Sequence, residues 1–501
     1  MAPDDLRARL AALQADDLPV HGGRTLAYVY DAGLAEVDAL AREAVAAFAG
    51  SNGLDPTAFP SLLAMENDLV AFARPLVDGP DTMVGTLTSG GTESCLLAVQ
   101  GARDARPDVT SPTMVVPETV HAAFHKAAHY FGVRAVVVPV GPDHRADARA
   151  MAEAIDDSTV LVVASAPSYA HGVVDPVAEI AAAARGVRCH VDACIGGWVL
   201  PWAARLGRPV PRWTFAVEGV TSISTDLHKY AYAPKGASLL LHRTPELRRP
   251  QYFAHAGWPG YTMLNATLQS TRSGGPVAGA WVTVRAIGDD GYLDLTRRAL
   301  EATDRICAGI EATEGLSLVA TPDSTLVAAV ADGPLDVFTV CDEMAQRGWF
   351  VQPQLSYDGQ PASLHLAVSA STDPAGFLDA LAGSVAAALV AGPVPVDEGV
   401  VALLQTLDPA TLGDAEFDLL LAAGGLAGEG GELGLPERMA PVNALLDVAP
   451  PRLREAVLVA FLDRLARPAE LPTGLPTELP TGPAGGVPGV PTGHAPFAGG
   501  G

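Results

Sequence analysis

Basic residues are scarce in this chain. Thirty-two lysines and arginines stand against 57 aspartates and glutamates, for a net charge of −25. Such an acidic excess repels phosphate backbones and anionic headgroups, which argues against nucleic acid or an anionic membrane surface as a partner. Cysteine is nearly absent too. The five thiols (Cys95, Cys189, Cys194, Cys307, Cys341) are odd in number and form no C-x-x-C pair, so no disulfide framework is expected and a reduced, cytoplasmic setting is. No secretion signal is expected either, because residues 1–20 carry Asp4, Asp5, Asp16 and Asp17 and no apolar run follows a basic start. Long hydrophobic runs are missing with one exception, residues 380–396. That stretch contains Pro393 and Pro395 and closes an amphipathic helical pattern, so no membrane span is expected.

Apolar residues make up 49% of the 501 positions, enough for a large core and more than one domain. Strand and helix patterns alternate through residues 80–245. Strands are expected at 83–88, 113–117, 134–139, 159–164, 188–192, 220–225 and 237–242, with helices between them such as 177–185. This alternation predicts an α/β fold, a mostly parallel sheet flanked by helices, whose ligands bind beyond the carboxyl ends of the strands. From residue 291 the pattern changes to a long helix (293–313) and strands at 317–319, 326–330, 350–352 and 363–368, a smaller α+β domain. The expected division is an N-terminal segment completing the site (1–60), a large domain (61–290), the small domain (291–395), a helical appendage (396–467) with apolar periodicity in 452–465, and a disordered Pro/Gly-rich tail (468–501).

Three segments carry chemistry. In the first, 221–236, a strand-like lead-in ends in Asp226-Leu227-His228-Lys229, followed by aromatics and a Pro-Lys-Gly turn. A lysine there is placed to form an imine with an aldehyde cofactor, provided its surroundings lower its pKa. The second is the strand 83–88, then Ser89-Gly90-Gly91-Thr92-Glu93-Ser94 and a helical run over 95–103. Glycines, hydroxyls and a helix N-terminus together suit a phosphate. The string is neither a Walker loop nor a dinucleotide turn. The third is His190-Val191-Asp192-Ala193-Cys194. Asp192, at the end of a buried strand, suits a charge partner for a protonated pyridine nitrogen, the pairing that keeps pyridoxal phosphate an electron sink. Ala193 is small enough for a ring to lie against. Between the last two segments, 120–130 reads as an amphipathic helix with His121 at its start, where it could stack on the other face of the ring. His121, His125 and His129 have a spacing that would also suit a metal, but no glutamate frame or cysteine pair accompanies them, so no metal is expected.

These segments, with SNGLDPTAFPSL, SAPSYAHGVVDP and STRSGGP in order, resemble the sphingosine-1-phosphate lyase branch of the PLP-dependent (group II) decarboxylase superfamily over residues 23–390. The resemblance implies a PLP-dependent transferase fold type I and pyridoxal 5'-phosphate as cofactor. It implies that Lys229 bears the cofactor, Asp192 pairs with the pyridine nitrogen, His121 stacks on the ring, and Gly91, Thr92 and His228 hold the phosphate. Ser273 and Gly274 would reach that phosphate from the neighbouring subunit of a homodimer. Tyr30, Asn52, Tyr232 and Lys235 would contact a small-molecule amine substrate, with Lys229 or Tyr232 as the base that removes a hydroxyl proton.

One position departs from the lyase pattern. Asp55 stands where the resemblance implies a histidine facing the substrate phosphate. A carboxylate there would repel the phosphate by about 1 kcal/mol in water and severalfold more when desolvated, unless Asp55 caps the local Asp-Pro-Thr turn instead. Two chemistries therefore stand side by side: retro-aldol cleavage of a phosphorylated 1,2-amino alcohol, and amino-acid decarboxylation. A catalytically silent scaffold acting through residues 397–501 is a third, remote reading.

Overall fold

The computed structural model describes residues 2–184, 186–423, 426 and 436–466; the tail expected at 468–501 lies outside them. Seven strands form the central sheet: β1 (Val84–Thr88), β2 (Thr113–Pro117), β3 (Arg134–Val138), β4 (Thr159–Ser165), β5 (Arg188–Asp192), β6 (Val220–Asp226) and β7 (Ser238–His242). Their order is β1-β7-β6-β5-β4-β2-β3, and only the two pairings made by β7 are antiparallel. The mostly parallel α/β sheet expected from the sequence is present, strand for strand.

Both faces of the sheet are covered, which explains the near-continuous Val/Ala runs of its central strands. Successive side chains alternate between two apolar clusters: Met114, Val116, Leu161 and Val163 enter one, and Val115, Val162 and Ala164 the other. The helices Gly91–Asp104 and Ala122–Phe131 pack against each other. β7 returns from β6 through the turn that carries Lys229 and inserts between β6 and β1. Ser238 is thereby level with Asp226 on one side and Thr88 on the other.

The helix expected at 293–313 starts much earlier, running Gly274–Glu311 with a break at Gly288 (φ 62°, ψ −178°). Val277, Ala278, Ala280, Val284 and Ile287 continue the buried stripe ahead of the break, and glycine adopts such a positive φ without steric cost. The small domain is an antiparallel sheet of β10 (Leu316–Leu318), β11 (Leu326–Ala331), β12 (Gln352–Gln354) and β13 (Ser363–Ala367), ordered β10-β11-β13-β12. The strand expected at 350–352 is shifted to 352–354 and contains Pro353, which an edge strand tolerates. A separate hairpin pairs β8 (Phe253–His255) with β9 (Met263–Asn265). The N-terminal segment joins the small domain, Leu26 donating to the Phe350 carbonyl and Ala367 to the Leu26 carbonyl. The helix Pro374–Ala391 is, among the described residues, the one long and apolar enough to cross a membrane by length and composition. Its Phe377, Leu381, Val385 and Ala388 are buried in the small-domain core with Val327 and Leu366, a globular packing role.

The chain divides into one compact unit of Met1–Val401 with Pro436–Val448, and another of Ala402–Leu435 with Ala449–Gly501. Of the stretch expected as an appendage at 396–467, residues 436–448 group with the first unit. The cause is Asp342, whose carboxylate accepts the backbone N–H groups of Met439 and Ala440 at 2.9 Å each and so caps the helix Ala440–Val448 within the first unit. Inside the second unit, Phe417, Leu420, Leu421 and Leu453 are buried, and Arg464 pairs with Asp418 at 2.5 Å while its guanidinium lies over the Phe417 ring.

Candidate functional site

A chamber of 410 Å³ opens at the carboxyl ends of β4, β5 and β6, lined by Ser89–Thr92, His121, Asp192, Asp226, His228 and Lys229 among others. Ser165, Asp192 and Asp226 are the terminal residues of those three strands, so parallel pairing alone converges their side chains. Asp192 is 8% exposed. Its carboxylate accepts from the Cys194 amide (3.1 Å) and the Ser224 hydroxyl (3.3 Å). Ser224 in turn bonds His190, whose pKa burial pushes down to about 4. A neutral imidazole leaves the Asp192 charge uncompensated from behind and available to a cation within the chamber.

Lys229 reaches Asp226, its Nζ 2.9 Å from Oδ2. The expectation that its surroundings lower its pKa is overturned. Burial is the largest single effect and pushes the amine down, but Asp226, Tyr30 and Cys194 together outweigh it, and the ammonium is held well above its ordinary range. Asp226 is itself 1% exposed, and its Oδ1 has no hydrogen-bond partner among the described residues. The spacing of Asp226, three residues before Lys229 at a strand end, is the signal that sequence reasoning passed over. His228 accepts the amides of Gly236 and Ala237 at Nδ1 (3.4 Å each), which leaves Nε2 for the chamber, 3.6 Å from Asp226.

The wall opposite is the start of the helix Gly91–Asp104. Glu93 fastens it, accepting the Ser89 amide at 2.6 Å and the Leu268 amide at 2.8 Å. A Cβ at Gly91 would lie 2.7 Å from both Asp226 carboxylate oxygens and 2.8 Å from Cys194 Sγ, so no larger residue fits that corner. His121 is the N-cap of Ala122–Phe131, its Nδ1 accepting the Ala123 amide at 3.2 Å. That bond occupies Nδ1 and leaves Nε2 as the free ring nitrogen. Tyr169, unforeseen, stands edge-on to His121 and is pinned by Gln352 and His365.

Not every expected residue meets here. Tyr30 does lie close: burial raises its phenol, and the charges of Lys229 and Asp226 act on it. Lys235 sits 5.1 Å from the Tyr30 ring and donates to the carbonyls of Tyr28 (2.7 Å) and His228 (3.3 Å). Tyr232 is a correction. Its backbone is left-handed (φ 58°), and its buried hydroxyl engages the Ala370 backbone in the electrostatic reach of Arg298 and Asp31, not of Lys229. Ser273 and Gly274 do not line the chamber of their own chain. They pair with the 51–52 segment, Ser273 bridging to Asn52 and Gly274 donating to the Ser51 carbonyl. Arg272 anchors that loop through an ion pair with Glu66 at 2.6 Å and a bond to the Leu87 carbonyl. Asp55 is exposed and does not line the chamber. Its carboxylate accepts the Thr57 amide (2.8 Å) and hydroxyl (2.6 Å), which holds it in the lowered, ionised range.

Residues 24–330 match the family described as "Pyridoxal-dependent decarboxylase conserved domain". The chain belongs to that family. Residues 398–464 match "Pyridoxal-dependent enzyme, C-terminal putative HTH domain". Among relatives, sphingosine-1-phosphate lyase of Arabidopsis thaliana is 39% identical over 340 residues, 66% of this chain and 62% of that protein. The chain thus spans less than two thirds of the length of such curated lyases. A probable L-aspartate decarboxylase of Halobacterium salinarum is 37% identical over 311 residues, 62% of this chain and 83% of that protein. Among solved structures, the sphingosine-1-phosphate lyase of Burkholderia pseudomallei has 33% identity and a TM-score of 0.73, covering 82% of this chain and 95% of that one.

The family's cofactor is pyridoxal phosphate, and the chamber suits it. A free helix N-terminus with glycine at the wall serves a phosphate, an uncompensated carboxylate serves a pyridinium, and a buried amine serves an aldehyde.

Proposed function

We propose that this enzyme cleaves a carbon–carbon bond at the α carbon of a phosphorylated 1,2-amino alcohol, releasing an aldehyde. The observation that carries the reading is Lys235. Its exposed ammonium donates to the carbonyls of Tyr28 and His228, and among the described residues no carboxylate pairs with it. A cation whose hydrogen-bond partners are all carbonyls can take an anion, and a phosphate on the substrate supplies one.

Bound pyridoxal phosphate supplies an aldehyde for the substrate amine and a ring to draw off the electron pair released at the α carbon. Gly91, Thr92 and His228 would hold its phosphate, and Asp192 would keep a proton on the ring nitrogen. Asp226 takes up the charge of Lys229 Nζ and orients it into the chamber. Once released, Lys229 Nζ is the base for the hydroxyl proton of the substrate. The proton taken by Lys229 Nζ is returned to the α carbon, so that the phosphorylated amine leaves alongside the aldehyde, and Tyr30, whose phenol burial raises, stays protonated at neutral pH. Tyr232 has no part in this. Asp55, facing solvent, offers no repulsion to a phosphate at Lys235.

A homodimer belongs to the proposal. Ser89 and Thr92 are exposed at the chamber mouth, as expected of residues awaiting Ser273 and Gly274 of a second copy. So does a reducing, cytoplasmic setting, supported by five free cysteines of which four are buried. Amino-acid decarboxylation is the second reading, favoured by the likeness to the Halobacterium decarboxylase. Incubation with sphinganine phosphate and with a panel of amino acids separates the two. Fatty aldehyde is expected, and carbon dioxide without aldehyde would replace the first reading by the second.

A further inference from the structure

Behind Asp192, inside the sheet, sits a histidine that touches neither solvent nor the chamber. His190 is 0% exposed and is absent from the chamber wall. It precedes Asp192 by two positions on β5, and side chains two apart on a strand share a face. β6 runs parallel beside it, with Ser222 level with His190 and Ser224 level with Asp192. Four polar side chains, none more than 8% exposed, therefore meet across two adjacent strands.

Their hydrogen bonds form a chain with one direction. Ser224 donates its only proton to Asp192 Oδ1 at 3.3 Å. The Ser224 oxygen lies 3.2 Å from His190 Nε2 and has only lone pairs left to offer it, so Nε2 is the donor. A neutral imidazole then carries a lone pair on Nδ1, and the Ser222 hydroxyl stands 2.9 Å away to fill it. Burial keeps the ring neutral, pushing it down to about 4 against the opposing pull of Asp192. Its surroundings bring no competing charge. Phe124 packs against the ring at 5.8 Å, and burial holds His242 neutral too, at about 3. The Cys194 thiol donates to Ser224 at 3.4 Å and is held well above its usual range by Cys95, burial and the carboxylates of Asp192 and Asp226. Oδ1 of Asp192 thus takes two donors, Ser224 and the Cys194 amide. Oδ2 meets only the Cys95 thiol, at 3.9 Å, and shares the chamber with His121, Asp226 and Lys229.

We infer that His190 is a positioning residue for the cofactor: it aims the Ser224 proton at Asp192, keeping that carboxylate ionised with Oδ1 occupied and Oδ2 free for the protonated ring nitrogen. Without the Nε2 donor, Ser224 is free to turn its proton elsewhere, and the Asp192 charge loses a bond that stabilises it. Either substrate would use this arrangement, because a protonated ring nitrogen serves aldehyde release and decarboxylation alike. The product assay and the test below therefore fail independently.

The holoenzyme is read by spectrum and cofactor affinity, without turnover. A ring nitrogen that holds its proton less firmly draws fewer electrons, so the pH midpoint of the visible band should move up. Ser224→Ala and His190→Phe should each raise that midpoint and weaken pyridoxal phosphate binding about tenfold, the scale of one hydrogen bond to a charged group. His190→Gln keeps an N–H near the place of Nε2 and should restore both readings. The double variant Ser224→Ala with His190→Phe should fall no further than either alone, since both act through one chain. An unchanged midpoint and affinity in Ser224→Ala overturns the inference, whether or not His190→Phe folds. Additive losses in the double variant, or a folded His190→Gln no better than His190→Phe, would overturn it as well and leave His190 a packing residue.

Discussion

At the floor of the cofactor chamber, Asp192 and Asp226 sit on strand ends, 8% and 1% exposed, and Lys229 is fixed to Asp226 at 2.9 Å. At the mouth, Ser89 and Thr92 are exposed; away from the chamber, Asp55 bonds only its own turn, and Ser273 and Gly274 lean on residues 51–52. The floor is finished by one chain, because strand pairing and burial leave its charged groups few other partners. The mouth is held by local turns, with its polar groups exposed. Chemistry is thus set where the fold is least free, and recognition where it is most free.

The sharpest way to break this contrast is at Lys229. Lys229→Ala should abolish borohydride-trapped cofactor and lower turnover by more than about 10³-fold, the scale of losing a nucleophile that also serves as base. Activity persisting within tenfold would mean that the floor does not hold the reactive amine. Next in size is Arg272→Ala, which strands the largely buried Glu66 and should cost about 3–5 kcal/mol of stability. Thermal denaturation reads this loss, and an unchanged midpoint would show that the loop is not anchored from within the chain.

A subtler change is Asp226→Asn. Asp226 raises the folded-state pKa of Lys229 above its unfolded value. The pair therefore contributes stability that is complete below the unfolded pKa and is lost as pH climbs through the raised one. Attack on an aldehyde needs the neutral amine, so cofactor loading of the apoprotein should accelerate with pH, and the variant should show that rise at lower pH. Coincident loading profiles would remove Asp226 from its role. The smallest effect belongs to the exposed turn outside the chamber: Asp55→Ala should leave the visible spectrum and cofactor loading unchanged, and a changed spectrum would bring Asp55 into the chamber.

The turns bearing Gly91, Asp192 and Lys229 were legible in the sequence because each follows a short strand-like run and opens into a turn or helix, and strand ends in a parallel sheet share one edge. The side-chain partners were harder. Tyr232 reads as a site residue by proximity to Lys229, yet it does not line the chamber and its hydroxyl engages the Ala370 backbone, a partner that linear spacing does not encode. Asp226 was in plain view but was taken for part of a turn, because its pairing depends on Gly91 leaving room. The cap that Asp342 gives to Ala440–Val448 joins residues 97 apart, beyond the reach of any local pattern. Gly274–Glu311 was underestimated because a glycine break looks like a beginning when only periodicity is read.

β7 lies between β1 and β6, and its Ser238 is level with Thr88 and Asp226 at once. One short strand therefore splints the phosphate-side turn to the lysine-side turn, and neither can drift without unzipping a ladder it shares with the other. In deuterated water the amides of Leu239, Leu240 and Leu241 should be among the slowest to exchange, and the geometry around Lys229 should outlast the loosening of every peripheral helix.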